Sequence, residues 1–133
     1  MTRKDAKGCL AALGILVSVL ATFMLWSGNV RSKAESVTLK ETSRLYQELR
    51  DHGLDRKELA RWVPDKTISM LEKIQVEYGK LSSFKIVRVY SQIGGTPSAS
   101  ELECVRTKGK TVEEVYVDYF RHNRVWFVGA RPR

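Results

Sequence analysis

Few positions in this chain carry side chains able to do chemistry, and most of them stand apart. There are two histidines and two cysteines. His52 precedes Gly53 at what reads as a helix end, where an imidazole can meet the last carbonyls. His122 sits in Arg121-His122-Asn123-Arg124, a tight turn in which Asn accepts a positive φ. Neither has a carboxylate or thiol at a spacing that makes an acid–base or nucleophilic pair. Cys9 lies in an apolar run, and Cys104 alternates with Leu102 in a strand-like stretch, so it reads as a small buried hydrophobe. That leaves no disulfide framework and no zinc spacing, so neither a metal nor a cofactor is expected. Gly94-Gly95 lacks the glycine spacing and the Lys-Ser/Thr of a phosphate loop. Asp118, on a strand face with Tyr116 and Phe120, is the one carboxylate set among aromatic residues. It reads either as a site residue or as a solvent-face Asp paired with an Arg of the next strand. Trp62, Tyr90 and Trp126 either line a small groove or belong to the core. The candidate ligand-binding set is therefore Trp62, Tyr90, Tyr116, Asp118 and Trp126. Glu101 and Glu103 should face water, and Glu113 and Glu114 should be cross-strand partners for Arg or Lys.

The elements that position these residues follow from periodicity. Thr38 with Glu41 spells a capping box, and Leu39, Leu45, Tyr46 and Leu49 share one helical face that stops at Gly53. Asp55 with Glu58 opens a short helix ended by Pro64. Asp65 caps a third, in which Ile68, Leu71, Ile74 and Tyr78 recur at helical spacing before Gly79. Four strand-like runs follow, at 84–90, 100–107, 112–120 and 125–128, with turns at 108–110 and 121–124. Val115, Val117 and Tyr119 should share one face of the third. About three helices followed by four strands joined by short turns predict an α+β fold, with the helices covering one face of an antiparallel curled sheet.

Ahead of that domain, Cys9 to Trp26 holds no charge. At about 1.5 Å per residue it reaches roughly 27 Å, close to the thickness of a bilayer core. A cleaved signal has a shorter apolar core and a small-x-small site after it. The nearest such triplet, Ser32-Lys33-Ala34, is past the run and holds a Lys. The organisation expected is a basic tail at 1–8, a transmembrane helix at 9–28, a polar linker at 29–36 and an α+β domain at 37–133. A cleaved signal peptide is the alternative. Basic residues flank the run on both sides, so the charge bias is nearly balanced. The basic start, Arg3, Lys4 and Lys7 against Asp5, favours an exported C-terminal domain.

The chain of 133 residues has a formal net charge of +8. The positive residues are dispersed among acids, and no nucleic-acid motif is present. An exported basic domain suits anionic headgroups or an acidic protein partner; the alternative is a plain solvated surface.

The phrase Glu77-Tyr78-Gly79-Lys80-Leu81, running into Ser82-Ser83-Phe84-Lys85, resembles small cystatin-like or nuclear-transport-factor-like domains tethered by one N-terminal helix in bacteria. The final hairpin, Tyr119 to Val128 with Trp126 after a charged turn, resembles theirs too. The resemblance covers Leu45 onward. It implies a curled sheet and a location at the bacterial cytoplasmic membrane with the domain outside. Two functions follow from it and from the residues above. One is a single-pass membrane protein with a non-catalytic interaction domain for an envelope or membrane partner. The other is a tethered small-ligand binder or enzyme in which Asp118 serves as a base, as in some nuclear-transport-factor-like isomerases.

Overall fold

The computed structural model describes residues 3–91, 98–118 and 124–133, with side chains outside that description at 3–14, 23–32 and 124. The predicted turn at 121–124, with His122, Tyr119 and Phe120, falls largely outside it, as does most of the Gly94–Ser98 loop.

The first helix corrects the expected helix start at Thr38. A single helix, α1, runs from Arg3 to His52. The polar linker at 29–36 is helical, and no helix starts at Thr38. The chain has no proline before Pro64, so nothing in the backbone chemistry forces a break. Thr38 does not cap: its hydroxyl donates to the Ala34 carbonyl at 2.7 Å, one turn back, and meets the Ser98 hydroxyl at 2.6 Å. A local capping pattern has been overridden by a tertiary contact.

Two shorter helices follow. In α2, Arg56–Leu59, Asp55 caps as expected, its carboxylate accepting from the Lys57 amide at 3.0 Å. In α3, Asp65–Tyr78, the cap position is Pro64 and has no side-chain bond. Asp65 lies in the first turn instead, where it and Glu72 bind the Arg56 guanidinium. Gly79 ends α3 with φ 89° and ψ −175°, a conformation open essentially only to glycine.

Strands β1 (Leu81–Ser91), β2 (Ser98–Arg106), β3 (Gly109–Asp118) and β4 (Arg124–Pro132) form one antiparallel sheet in the order β1-β2-β3-β4. The fold is α+β with a curled four-stranded sheet, as predicted. The C-terminal half of α1 packs along β1 and β2, while α3 covers β4. Four residues of helix rise about 6 Å and two of strand about 6.6 Å. Thr38, Thr42 and Tyr46 therefore keep step with successive inward positions of the sheet. Thr38 meets Ser98, Thr42 meets Ser100 at 3.0 Å, and Tyr46 meets Glu113, which pairs with Leu102. α1 thus runs parallel to β2. The core between the layers holds Leu45, Tyr46, Leu59, Ile68, Leu71, Leu102, Val115 and Val117, all essentially without solvent exposure.

Candidate functional site

Strand alternation sorts the sheet into two faces. Along β3, Thr111, Glu113, Val115 and Val117 are buried against the helices, while Val112, Glu114, Tyr116 and Asp118 are half-buried on the outer face. Asp118 therefore shares a face with Tyr116, and it lies opposite Arg124 in the β3–β4 register. Asp118 is thus half-buried on the sheet face away from the helices. The concave inner face, where a base would need a hollow, is filled by Tyr46, Leu102, Val115 and Val117.

Three of the other candidates gather on the outer face. Tyr90 pairs with Ala99, Ala99 with Tyr116, and Tyr116 with Phe127, so the four cross the sheet as one row. The Tyr116 ring lies 5.8 Å from Trp126 and 5.5 Å from Phe127, and the last two are 6.0 Å apart. A register shift between Tyr116 and Val117 brings Trp126 and Phe127 to the outer face in succession, between the buried Val125 and Val128. Such a bulge places two residues of one strand opposite one of the next. Trp126 is 47% exposed and Phe127 38%, whereas Ala99 beneath the rings is 1% exposed. Arg88 stacks its guanidinium over Tyr90 at 4.5 Å. The Tyr116 hydroxyl, hydrogen-bonded with Tyr90 and sitting beside the Glu114 carboxylate at 3.2 Å, has its pKa pushed up to about 12.

Trp62 does not join them. It is packed against the helical side of the core, with the Arg44 guanidinium 4.1 Å over its ring. Phe127 was not among the expected residues, because strict alternation from Val125 would have turned it inward. Glu101 and Glu103 do face outward, held by Arg88 at 3.2 Å, Arg131 at 3.7 Å and Arg133 at 3.3 Å.

A second polar group lies inside the protein. Glu113 accepts from Arg106 Nε at 2.8 Å and Nη2 at 2.7 Å, from Tyr46 Oη at 2.7 Å and from Thr111 Oγ1 at 2.5 Å. The remaining Arg106 nitrogen donates to the Gly79 carbonyl at 2.9 Å. Burial pulls the Glu113 carboxyl up, but the Arg106 hydrogen bonds and charge, with the two hydroxyls, outweigh it and hold Glu113 below the usual range. Burial, reinforced by the Glu113 charge, pushes the Tyr46 and Cys104 groups up. The expected Arg partner of Glu113 is there, but the pair is buried. Its spacing of two from Val115 and Val117 was the available signal. No buried side-chain polar atom among the described residues lacks a partner. The group is closed on itself by these hydrogen bonds, an arrangement that holds β2, β3 and α1 together.

His52 is exposed at the end of α1, on the rim of a depression it shares with Arg50, Gln75, Lys80 and Arg106. Among the described residues, no group of three or more His, Cys, Asp or Glu is placed to hold a metal ion.

Comparison with protein-family models, with curated proteins and with solved structures found no match to this chain.

Proposed function

We propose that this chain is a single-pass membrane protein of a bacterial cytoplasmic membrane, and that its α+β domain, exposed outside the cytoplasm, is a non-catalytic interaction module for a membrane or envelope protein. The observation that carries the reading is the continuity of α1. Its C-terminal half is buried on the sheet from Ala34 to Leu49. Its earlier part carries Ile15, Leu16, Val17, Val19 and Leu20, each between 54% and 67% exposed. At about 100° per residue these five span more than half the circumference, too wide for a stripe packed on one neighbour. A helix apolar over that much of its surface needs lipid or protein around it. Among the described residues, no helix is long and apolar enough to cross a membrane. The apolar run Cys9 to Trp26 extends beyond the described side chains at both ends. Interaction rather than catalysis is supported by the filled inner face and by exposed aromatic residues on the outer one.

The test takes the full chain, tagged at its C-terminus, in bacterial membranes. Full mass, resistance to alkaline extraction and digestion of the tag from the outer side are expected. A chain missing its first thirty or so residues, the far end of a cleavable signal, would overturn the anchor. A tag protected from outside would reverse the orientation.

A further inference from the structure

We propose that the outer aromatic row is a contact between two copies of this chain lying side by side in one membrane. This rests on the anchored reading above. The row Tyr90, Ala99, Tyr116, Phe127 is complementary to itself. A half turn about an axis along the strands, between β2 and β3, reverses its order. Tyr90 then lies over Phe127 of the second copy, and the small Ala99 faces the large Tyr116. Isologous contacts require this self-matching.

The direction of that axis agrees with the anchor. α1 runs parallel to β2, with Thr38 on Ser98 and Thr42 on Ser100, so an axis along the strands also lies along α1. If α1 crosses the bilayer, the axis follows the membrane normal, the one direction about which two copies can be related while inserted the same way. An unbroken helix then brings identical rows to the same height, and confinement to one membrane raises their effective concentration.

Height decides against lipid as the covering partner. From Gly28 to Thr38, which is level with the row, α1 rises about 15 Å. The headgroup layer on each side of a bilayer is only roughly 5–8 Å thick. The rings stand above it when the helix is upright. Charge does not oppose the contact. In the next row up, the half turn sets Glu101 over Glu114 of the second copy, but Arg88 and Arg131 both sit on Glu101, at 3.2 and 3.7 Å, so two guanidiniums offset the two carboxylates of that row.

The test uses the full chain with Cys9→Ser and Cys104→Ala, carrying Tyr90→Cys or Phe127→Cys, folded by circular dichroism. The two variants are mixed in phosphatidylcholine–phosphatidylglycerol vesicles and treated with a short bismaleimide. The mixed 90–127 product should exceed the 127–127 product several-fold. Trp126→Lys, a change at an exposed position, should reduce it several-fold, and Lys73→Cys, exposed on α3 at the helical side of the sheet, should not cross-link. Chains that float with the vesicles but do not cross-link at 90–127 overturn the contact and leave the anchor standing. Quenching of Trp126 by headgroup-labelled lipid in place of cross-linking overturns it in favour of a lipid surface. Chains that do not float overturn the anchor and the common height with it.

Discussion

Replacing Glu113 by Gln should be among the most damaging single changes in the domain. The carboxylate has no solvent exposure and accepts four hydrogen bonds, two of them from an Arg106 side chain that is itself 3% exposed. Gln keeps the volume but presents one acceptor oxygen where two were used, and it leaves the guanidinium buried without its counter-charge. Removing one partner of a buried pair costs about 3–5 kcal/mol. Domains of this size are stable by about 5–15 kcal/mol in all. At about 4–8 °C per kcal/mol for a domain of roughly 100 residues, the midpoint should fall on the order of 20 °C. Thermal unfolding of the full chain in detergent, followed by near-ultraviolet circular dichroism, reads this directly. Arg106→Met with Glu113→Leu should recover much of the loss, since a buried pair replaced by apolar side chains is often neutral. The pH dependence has a definite sign. Glu113 is held below the usual carboxylate range, so its contribution is complete above that range and is lost as pH falls through its own lowered value. The parent should therefore lose stability in acid more steeply than Glu113→Gln does. A cost below about 1 kcal/mol, the scale of an exposed ion pair, would refute the reasoning, as would single losses that add in the double variant.

Other changes test separate parts of the fold. Gly79→Ala should destabilise by about 1–3 kcal/mol from backbone strain alone, and by more because its Cβ would fall 1.9 Å from Thr107 Oγ1; chemical denaturation measures it. Tyr46→Phe should cost about 1.5–3 kcal/mol, the worth of a hydrogen bond to a charged group, and should shift the acid limb of the stability profile upward in pH. Burial raises the Tyr46 hydroxyl, so the contribution of its neutral form is complete below the ordinary tyrosine range and lost above it. Tyr46→Phe should therefore flatten the alkaline limb. Trp126→Lys, by contrast, should change the melting temperature little, since the side chain is 47% exposed. A large drop would mean that the outer aromatic group is part of the folding core.

Much of the domain was legible because its signals are local and periodic. The apolar positions of α3 recur at helical spacing, and Val115 and Val117 share the inner face that alternation predicts. What stayed hidden depends on contacts between distant residues. Thr38 and Glu41 spell a cap, yet the helix continues, because the Thr38 hydroxyl meets Ser98, sixty positions away. Asp65 has the chemistry of a cap but pairs with Arg56 across a turn. Trp126 and Phe127 emerge together only because β4 bulges against β3, and nothing in the sequence of β4 alone marks the shift. Glu113 reads as a cross-strand partner for Arg or Lys, but its closure inside the core by Arg106, Tyr46 and Thr111 depends on residues brought together by the fold. Trp62 looked like a partner for Trp126 by residue type, but the two lie on opposite sides of the sheet.

The most direct test of the account is a spin label walked one residue at a time from Ile15 to Leu49 in the full chain in vesicles, with accessibility to oxygen and to a water-soluble nickel complex recorded at each position. The account predicts oxygen-rich, nickel-poor environments without helical periodicity through about Gly28. Beyond Lys33 it predicts a period of about 3.6 residues, with minima at Ala34, Thr38, Thr42, Leu45 and Leu49 and no break between the two regimes. High nickel accessibility at Ile15 to Leu20 would contradict the anchor. A flat, mobile stretch between Gly28 and Lys33 would contradict the continuous helix that joins it to the domain.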